Sequence, residues 1–358
     1  MIKILFKSLL FKMFYRFGFP KILPMNYTIS LLYACNSRCK TCNIYKKKAR
    51  VLQPVEYRKI FNSIKKSAFW ITFSGGEPFL RNDLFEICCL AATICKPKII
   101  NIPTNGILTE KIVSFTKKIT IAYPKIQFNI NLSIDEIGAA HDEIRGVRGN
   151  YEKVIKTFYK LKQIGASNLQ VGIHTVISKF NVKNFPNIAS TLMQLNPDSY
   201  ITEIAEQRVE LWTKDLDIQP KKTDYAAAAD FLIHRIKHSK QTGWNKLTQL
   251  FRCEYYSLVK KVLKHQTQVI DCLAGVASAQ IAPDGRVWAC CNRAKSVGSL
   301  RANRYNFYRV WFSDYAKKHR QSIKNRECYC PLANASYTNI LMNYSLLAKL
   351  FVKMLFLR

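Results

Sequence analysis

The sequence predicts an α/β chain made of parallel βα units with a small cysteine-rich β-hairpin and helix extension, and three observations carry that prediction. Six apolar strand-like segments, near residues 27–33, 69–74, 98–104, 127–133, 169–177 and 199–204, alternate with five longer helix-compatible stretches. Those stretches are Val55–Lys66, Leu84–Cys95, Thr109–Ile121, Tyr151–Ile164 and Phe185–Leu195. Second, glycine-rich or polar motifs follow the strand-like runs, where an α/β fold gathers its functional groups. Third, near the C-terminus Ser278 to Trp288 reads as two short strands around a Pro283-Asp284-Gly285 turn, with a helical stretch following over Tyr305–Ile323.

Composition narrows the class. With 48% hydrophobic and 22% charged residues, the chain can bury a sizeable core, which excludes global disorder, and 13 Gly and 12 Pro exclude a collagenous or Pro-rich protein. The 358 residues suit two domains or one barrel with an extension. Against 23 Asp and Glu stand 56 Lys and Arg, a formal net charge of +33 that implies an anionic partner or surface. Lys3, Lys7, Lys12 and Arg16 interrupt the apolar run of the first 24 residues, and no small-residue cleavage site follows. No stretch reaches the roughly 20 apolar residues of a membrane span. The expected compartment is therefore the cytoplasm, where 12 cysteines stay thiols and grouped ones read as metal ligands.

The first group is Cys35, Cys39 and Cys42, a CxxxCxxC at the end of the Tyr27–Tyr33 run. Three thiolates on one loop can converge on one centre, yet they fall one short of a closed zinc site or a fully ligated iron–sulfur cluster. The missing ligand is an open coordination position; the alternative is a zinc knuckle with a distant fourth ligand. Next, Phe69–Phe73 ends in Ser74-Gly75-Gly76-Glu77-Pro78. Paired glycines let the backbone approach a ligand closely, and Glu77 supplies a carboxylate acceptor for a cationic group.

Together these motifs resemble the radical S-adenosylmethionine (SAM) superfamily. The resemblance continues through Thr104-Asn105-Gly106, Ser133-Ile134-Asp135 and His141-Asp142-Glu143-Ile144-Arg145-Gly146, and covers about Met25 to Glu203. It implies a partial (β/α)6 TIM-like barrel in which Cys35, Cys39 and Cys42 hold a 4Fe-4S cluster whose fourth iron is chelated by SAM. It further implies an electron donor such as flavodoxin or ferredoxin, and reductive cleavage of SAM to a 5'-deoxyadenosyl radical that abstracts a substrate hydrogen. By the same resemblance Gly75, Gly76, Glu77 and Pro78 face the SAM amino group, and Ser133 and Asp135 are ribose or carboxylate contacts. Asn105 and Arg145 are further candidates. Arg145 pairs with the SAM carboxylate or makes a structural salt bridge, and Thr104-Asn105-Gly106 is equally a turn that tolerates positive φ. The family often has an aromatic residue before its last cysteine; here Thr41 stands there, which weakens that contact near the adenine. His174 reads as a satisfied core histidine.

The second group is Cys272, Cys290, Cys291, Cys328 and Cys330. With Gly285 before Cys290 and the later Cys328-Tyr329-Cys330, the tail resembles the SPASM or twitch extensions of radical SAM enzymes, which bind auxiliary 4Fe-4S clusters. A full SPASM tail has further cysteines, and none follows Cys330. One auxiliary cluster on Cys272, Cys290, Cys328 and Cys330 is expected, with Cys291 as the alternate ligand and a zinc site as the alternative occupant. Cys88, Cys89, Cys95 and Cys253 lie in helical patterns and read as buried small hydrophobes.

At the termini Ile2, Phe6, Leu9, Leu10, Met13 and Phe17 form one apolar helical stripe, and Leu346, Leu347, Leu350, Phe351, Met354 and Leu355 another beside Lys349, Lys353 and Arg358. Basic amphipathic helices of this kind suit a membrane interface, or else cap the barrel. The chain thus divides into an N-terminal helix (1–24), a barrel (25–240), an auxiliary cluster domain (241–335) and a C-terminal helix (336–358). Three functions are expected in order. The first is a radical SAM enzyme on a lipid or lipid-linked substrate at the inner face of the membrane, and the second a peptide-modifying one. The third is a non-catalytic metal or nucleic-acid binder, although no RNA-binding motif is present. Basic runs at Lys46–Lys48 and Lys317–Arg326 belong to neither terminus.

Overall fold

The computed structural model describes residues 2–238 and 243–356. It opens with helix α1 (Ile2–Phe17), and six βα units follow: β1 (Asn26–Ser30), α2 (Pro54–Ile64), β2 (Trp70–Ser74), α3 (Leu84–Ile94), β3 (Ile99–Thr104), α4 (Thr109–Ala122), β4 (Gln127–Ser133), α5 (Gly138–Arg145), α6 (Asn150–Lys162), β5 (Leu169–Ile177), α7 (Phe185–Gln194), β6 (Ser199–Ile204) and α8 (Lys222–Lys237). The rest is α9 (Gly243–His265), β7 (Ser278–Ile281), β8 (Arg286–Trp288), β9 (Ser296–Ser299), α10 (Phe307–Trp311), α11 (Asp314–Lys324), α12 (Ala333–Leu341) and α13 (Tyr344–Phe356). All six expected strands and five expected helices form within a few residues of their expected limits. The expected helix over Tyr305–Ile323 is broken at Phe312 and Ser313, because the Ser313 hydroxyl caps a new helix by accepting from the Ala316 N–H at 3.2 Å.

β1 to β6 pair in parallel in the order β6-β5-β4-β3-β2-β1. The hairpin does not stand apart from this sheet. β7 pairs parallel to β1, with Thr28 opposite Gln280, and β8 and β9 add antiparallel strands, so the sheet runs across both cysteine groups. An open six-stranded barrel leaves β1 with an unpaired edge, and the short buried β7 covers it.

In β1 to β4 buried apolar residues largely alternate with polar ones. Tyr27, Ile29, Ile71, Phe73, Ile100, Ile102, Phe128, Ile130 and Leu132 are buried in one core with apolar residues of the surrounding helices. The opposite parity carries Thr28, Ser30, Thr72, Ser74, Asn101, Asn129, Asn131 and Ser133, and Asn131 Nδ2 donates to Asn101 Oδ1 at 2.5 Å. The lumen is therefore polar, unlike the branched aliphatic filling of a complete barrel.

A clasp joins the extension to the barrel. Glu56 at the start of α2 takes a forked ion pair from Arg301 after β9, at 2.7 and 3.0 Å, and a hydrogen bond from the Tyr305 hydroxyl at 2.8 Å. The Arg301 hydrogen bond, outweighing burial, draws the Glu56 carboxyl down to about 2. A depressed acid contributes stability in full above its unfolded value near 4.5 and loses it as pH falls toward about 2. Glu56→Gln is expected to cost about 3 kcal/mol in urea denaturation at pH 7, with the gap to the parent protein narrowing between pH 4.5 and about 2.

The terminal helices both dock. Ser8, Phe11 and Phe14 are the buried face of α1, against Met25, Leu273, Val276, Ala277 and Met342. Of the expected stripe, Leu9 and Phe17 stay 47% and 71% exposed, while the Ile2 and Phe6 side chains lie outside the described residues. The aromatic pair Phe11 and Phe14 fills the groove instead, Phe14 meeting Phe312 edge-on at 5.6 Å. On α13 Leu350 is buried with Leu346 and Met354 beside it; the Phe351 and Leu355 side chains and Arg358 lie outside the described residues. Among the described residues no helix is long and apolar enough to cross a membrane.

Candidate active site

β1 ends at Ser30, and the chain runs on beside the end of β2. Leu31 N–H donates to Ser74 O at 2.8 Å, Gly76 N–H to Leu32 O at 2.8 Å and Glu77 N–H to Ala34 O at 3.0 Å. A Cβ on Gly75 would stand 2.3 Å from Leu32 O, and one on Gly76 2.0 Å from Ala34 O. The paired glycines thus seat the GGEP turn against the backbone that leads into Cys35. The close approach expected toward a ligand is made here to the chain itself, because the ladder between β1 and β2 continues past the strand ends.

The cysteine loop is held from two sides. Asn105 Nδ2 donates to Asn36 Oδ1 at 2.7 Å and Ser37 Oγ at 3.0 Å. Arg38 and Lys40 N–H groups donate to the carbonyls of Arg145 and Ile144 at 2.9 and 2.8 Å. Gly106, at φ +75°, lies where a Cβ would press Val154 at 2.5 Å, so Thr104-Asn105-Gly106 is a turn as well as a tether. The result is an open cleft of about 860 Å³ lined by the three cysteines, Thr41, Gly75, Gly76, Glu77, Asn105, Ser133, Asp135 and Arg145. Pro78 is buried behind that wall at the start of the next turn.

Inside the cleft the charged groups are engaged. Both Glu77 oxygens are held: Oε1 accepts from Phe79 N–H at 3.1 Å and Thr104 Oγ1 at 2.9 Å, and Oε2 from Asn105 N–H at 2.8 Å. Burial nevertheless pushes Glu77 up to about 7, the three donors opposing it. Arg145 makes the structural salt bridge, its Nε 2.9 Å from Asp135 Oδ2, and its Nη1 donates to Cys39 Sγ at 3.6 Å. Asp135 Oδ1 accepts from Val176 N–H at 2.9 Å, while its own N–H donates to Nδ1 of the buried His141 at 3.1 Å. His174 lies on the lumen side of β5 with its pKa lowered by burial.

Burial raises Cys35 up to about 11 and Cys42 up to about 12, so taking a metal centre here is coupled to proton release. Three thiols lining one cleft, with a guanidinium on one of them, match the three-thiolate donor set of an iron–sulfur cluster in number and type. Two further cleft residues were not expected from sequence, Glu206 and Arg208, both just after β6. Burial pushes Glu206 up to about 7, and its Oε2 is buried without a hydrogen-bond partner. Their legible signal was the acidic and basic cluster Glu203 to Glu210 at a strand's carboxyl end.

The second cysteine group lines its own cavity, of about 940 Å³, on the same face of the sheet, with Ser278 and Gln280 of β7 in its wall. Cys272, Cys290 and Cys328 share a nest with Ala274, Ala289 and Ile323, and Cys330 completes the lining. Cys291 also borders the cavity but accepts a hydrogen bond from Arg208 Nη1 at 3.7 Å. Cys88, Cys95 and Cys253 are buried and Cys89 is half-buried, away from both cavities. Among the described residues no three His, Cys, Asp or Glu side chains are grouped so as to hold one metal ion.

Comparison with known proteins points the same way. Residues 29–192 match the radical SAM superfamily model. The Fe-coproporphyrin III synthase of Methanosarcina barkeri is 24% identical over 275 residues, 72% of this chain and 64% of that protein, so the chain spans slightly less than two thirds of its length. A GTP 3',8-cyclase of Clostridium botulinum is 28% identical over 242 residues, 60% of this chain and 70% of that enzyme. The fold as a whole is similar to anSMEcpe, solved with bound AdoMet and a Cp18Cys peptide, at a TM-score of 0.60 and 14% identity over 94% of this chain and all of that one. With its partial barrel and thiol loop already in place, the chain carries a radical SAM superfamily domain over residues 29–192.

Proposed function

We propose that Cys35, Cys39 and Cys42 hold the cluster that binds SAM, and that the cleft between them and β6 positions a polar group of the substrate for hydrogen abstraction. When bound, the cluster and SAM supply the 5'-deoxyadenosyl radical by reductive cleavage. The observation that carries this reading is the convergence of the thiol loop, GGEP, Asn105, Ser133 and Asp135 on one cleft at the carboxyl ends of β1 to β4. Arg145 donates to Cys39 Sγ, and Asn105 fixes the loop. A second cluster on Cys272, Cys290, Cys328 and Cys330 is supported by their shared cavity, with Cys291 turned to Arg208.

The polar lumen supports a substrate whose reacting end carries hydroxyl, amide or amine groups: the head of a lipid-linked molecule, or a peptide. The bilayer reading draws on the exposed Leu9, Phe17 and Phe19 beside basic residues of α1, which suit the cytoplasmic face of an anionic membrane. The peptide reading draws on the likeness to anSMEcpe, whose structure holds a peptide. A flavodoxin or ferredoxin is the proposed electron donor.

Reconstituted, dithionite-reduced protein is expected to release 5'-deoxyadenosine from SAM and to carry about eight Fe per chain. No 5'-deoxyadenosine would leave only binding, and about four Fe plus one Zn would sink the second cluster. Leu9→Glu with Phe17→Glu is expected to lower co-sedimentation with phosphatidylglycerol vesicles at least about tenfold; unchanged partitioning would remove α1 as the anchor.

A further inference from the structure

The two cysteine cavities meet where Arg208, which lines the first, touches Cys291, which with Gln280 lines the second. There Arg208 Nη1 donates to Cys291 Sγ at 3.7 Å and stands 3.9 Å from Glu210 Oε2, while Gln280 Nε2 donates to Glu210 Oε1. Lys47, five residues beyond Cys42, reaches the carbonyl of Glu210 at 3.1 Å. The Arg208 side chain is 17% exposed, and its buried Nε–H has no acceptor.

Arg145 makes the useful contrast. It too meets a sulfur, Cys39, but its charge is paired with Asp135 at 2.9 Å, whereas Arg208 meets Glu210 only at 3.9 Å. Burial works against the Arg208 charge, but Cys291 first, then Glu203 and Glu210, outweigh it and keep the guanidinium protonated. On its other side Arg208 lines the same cleft as Cys42.

We infer that Arg208 is a positioning residue shared by both metal centres, a fixed positive charge between Cys42 and Cys291 that raises the reduction potential of each. Adding an electron to a cluster makes it more negative, so a nearby cation stabilises the reduced form, more strongly in a buried site than in water. Glu210 is the counter-charge that trims this effect. The inference rests on the two-cluster reading above.

The test is an EPR-monitored potentiometric titration of the full-length, cluster-loaded protein. Arg208→Gln is expected to move both midpoints to more negative potential, and Arg208→Lys to leave them near the parent values. Glu210→Gln, which removes the opposing charge, is expected to move them the other way and remains informative if Arg208→Gln fails to load iron. Midpoints unmoved in Arg208→Gln and Glu210→Gln at full iron content would overturn the inference. A parent protein lacking a second cluster signal would instead overturn the two-cluster reading on which it rests.

Discussion

Serine at Cys35, Cys39 or Cys42 is expected to lower 5'-deoxyadenosine formation at least about a thousandfold, equivalent to about 4 kcal/mol of barrier, and to remove about four Fe per chain. In the proposed reading the three thiols are the donor set of the first cleft, and their loop carries no fourth cysteine. Asn105, Arg145 and the carbonyls of α5 hold the loop whether or not metal is bound, so the variants are expected to fold. Cys88→Ala, on the buried face of α3, provides the control and is expected to keep its iron. Full iron content and turnover in Cys39→Ser would remove the thiol loop from the active site.

Alanine at Gly76 is expected to be nearly as damaging, although it touches no thiol. The added methyl would meet the Ala34 carbonyl oxygen at 2.0 Å, and that oxygen already accepts the Glu77 N–H at 3.0 Å. Backbone has no rotamer by which to step aside, so the segment that delivers Cys35 must move. A cost of about 3 kcal/mol or more is expected in urea denaturation of the apoprotein, together with loss of the first cluster's iron. Gly138→Ala tests the reasoning: at φ +58° with nothing within 4 Å it carries only the conformational cost of a left-handed residue, about 1 kcal/mol, and keeps its iron. Equal stability of the two variants would show that the GGEP turn tolerates displacement.

Both expectations turn on the difference between what a linear pattern and a folded chain can reveal. The six strands were legible because Tyr27, Ile29, Ile71 and Phe73 alternate with small polar residues, and a period of two admits one inward face. The cysteine spacings were legible because ligands on one loop need no tertiary contact to be near each other. The partner of Arg145 was not: the salt bridge to Asp135 joins groups on different elements, and either partner of a cation is equally consistent with sequence. Glu206 and Arg208 follow a strand without a motif, and only the folded chain brings them to the cleft of the thiol loop.

The N-terminal helix shows the same limit. A helical wheel ranks faces by hydrophobicity, yet the docked face is the one whose shape fits, Phe11 and Phe14 against Leu273 and Val276. By itself the sequence determined the βα repeat, the two thiol groups and the excess of positive charge, since each is a matter of period, spacing or count. Only the tertiary structure decided that β7 continues the barrel sheet and that both thiol groups lie on one face of it with Arg208 where their cavities meet. Strand pairing and charge neutralisation are contacts between residues far apart in the chain, and folding alone selects which of the available partners meet.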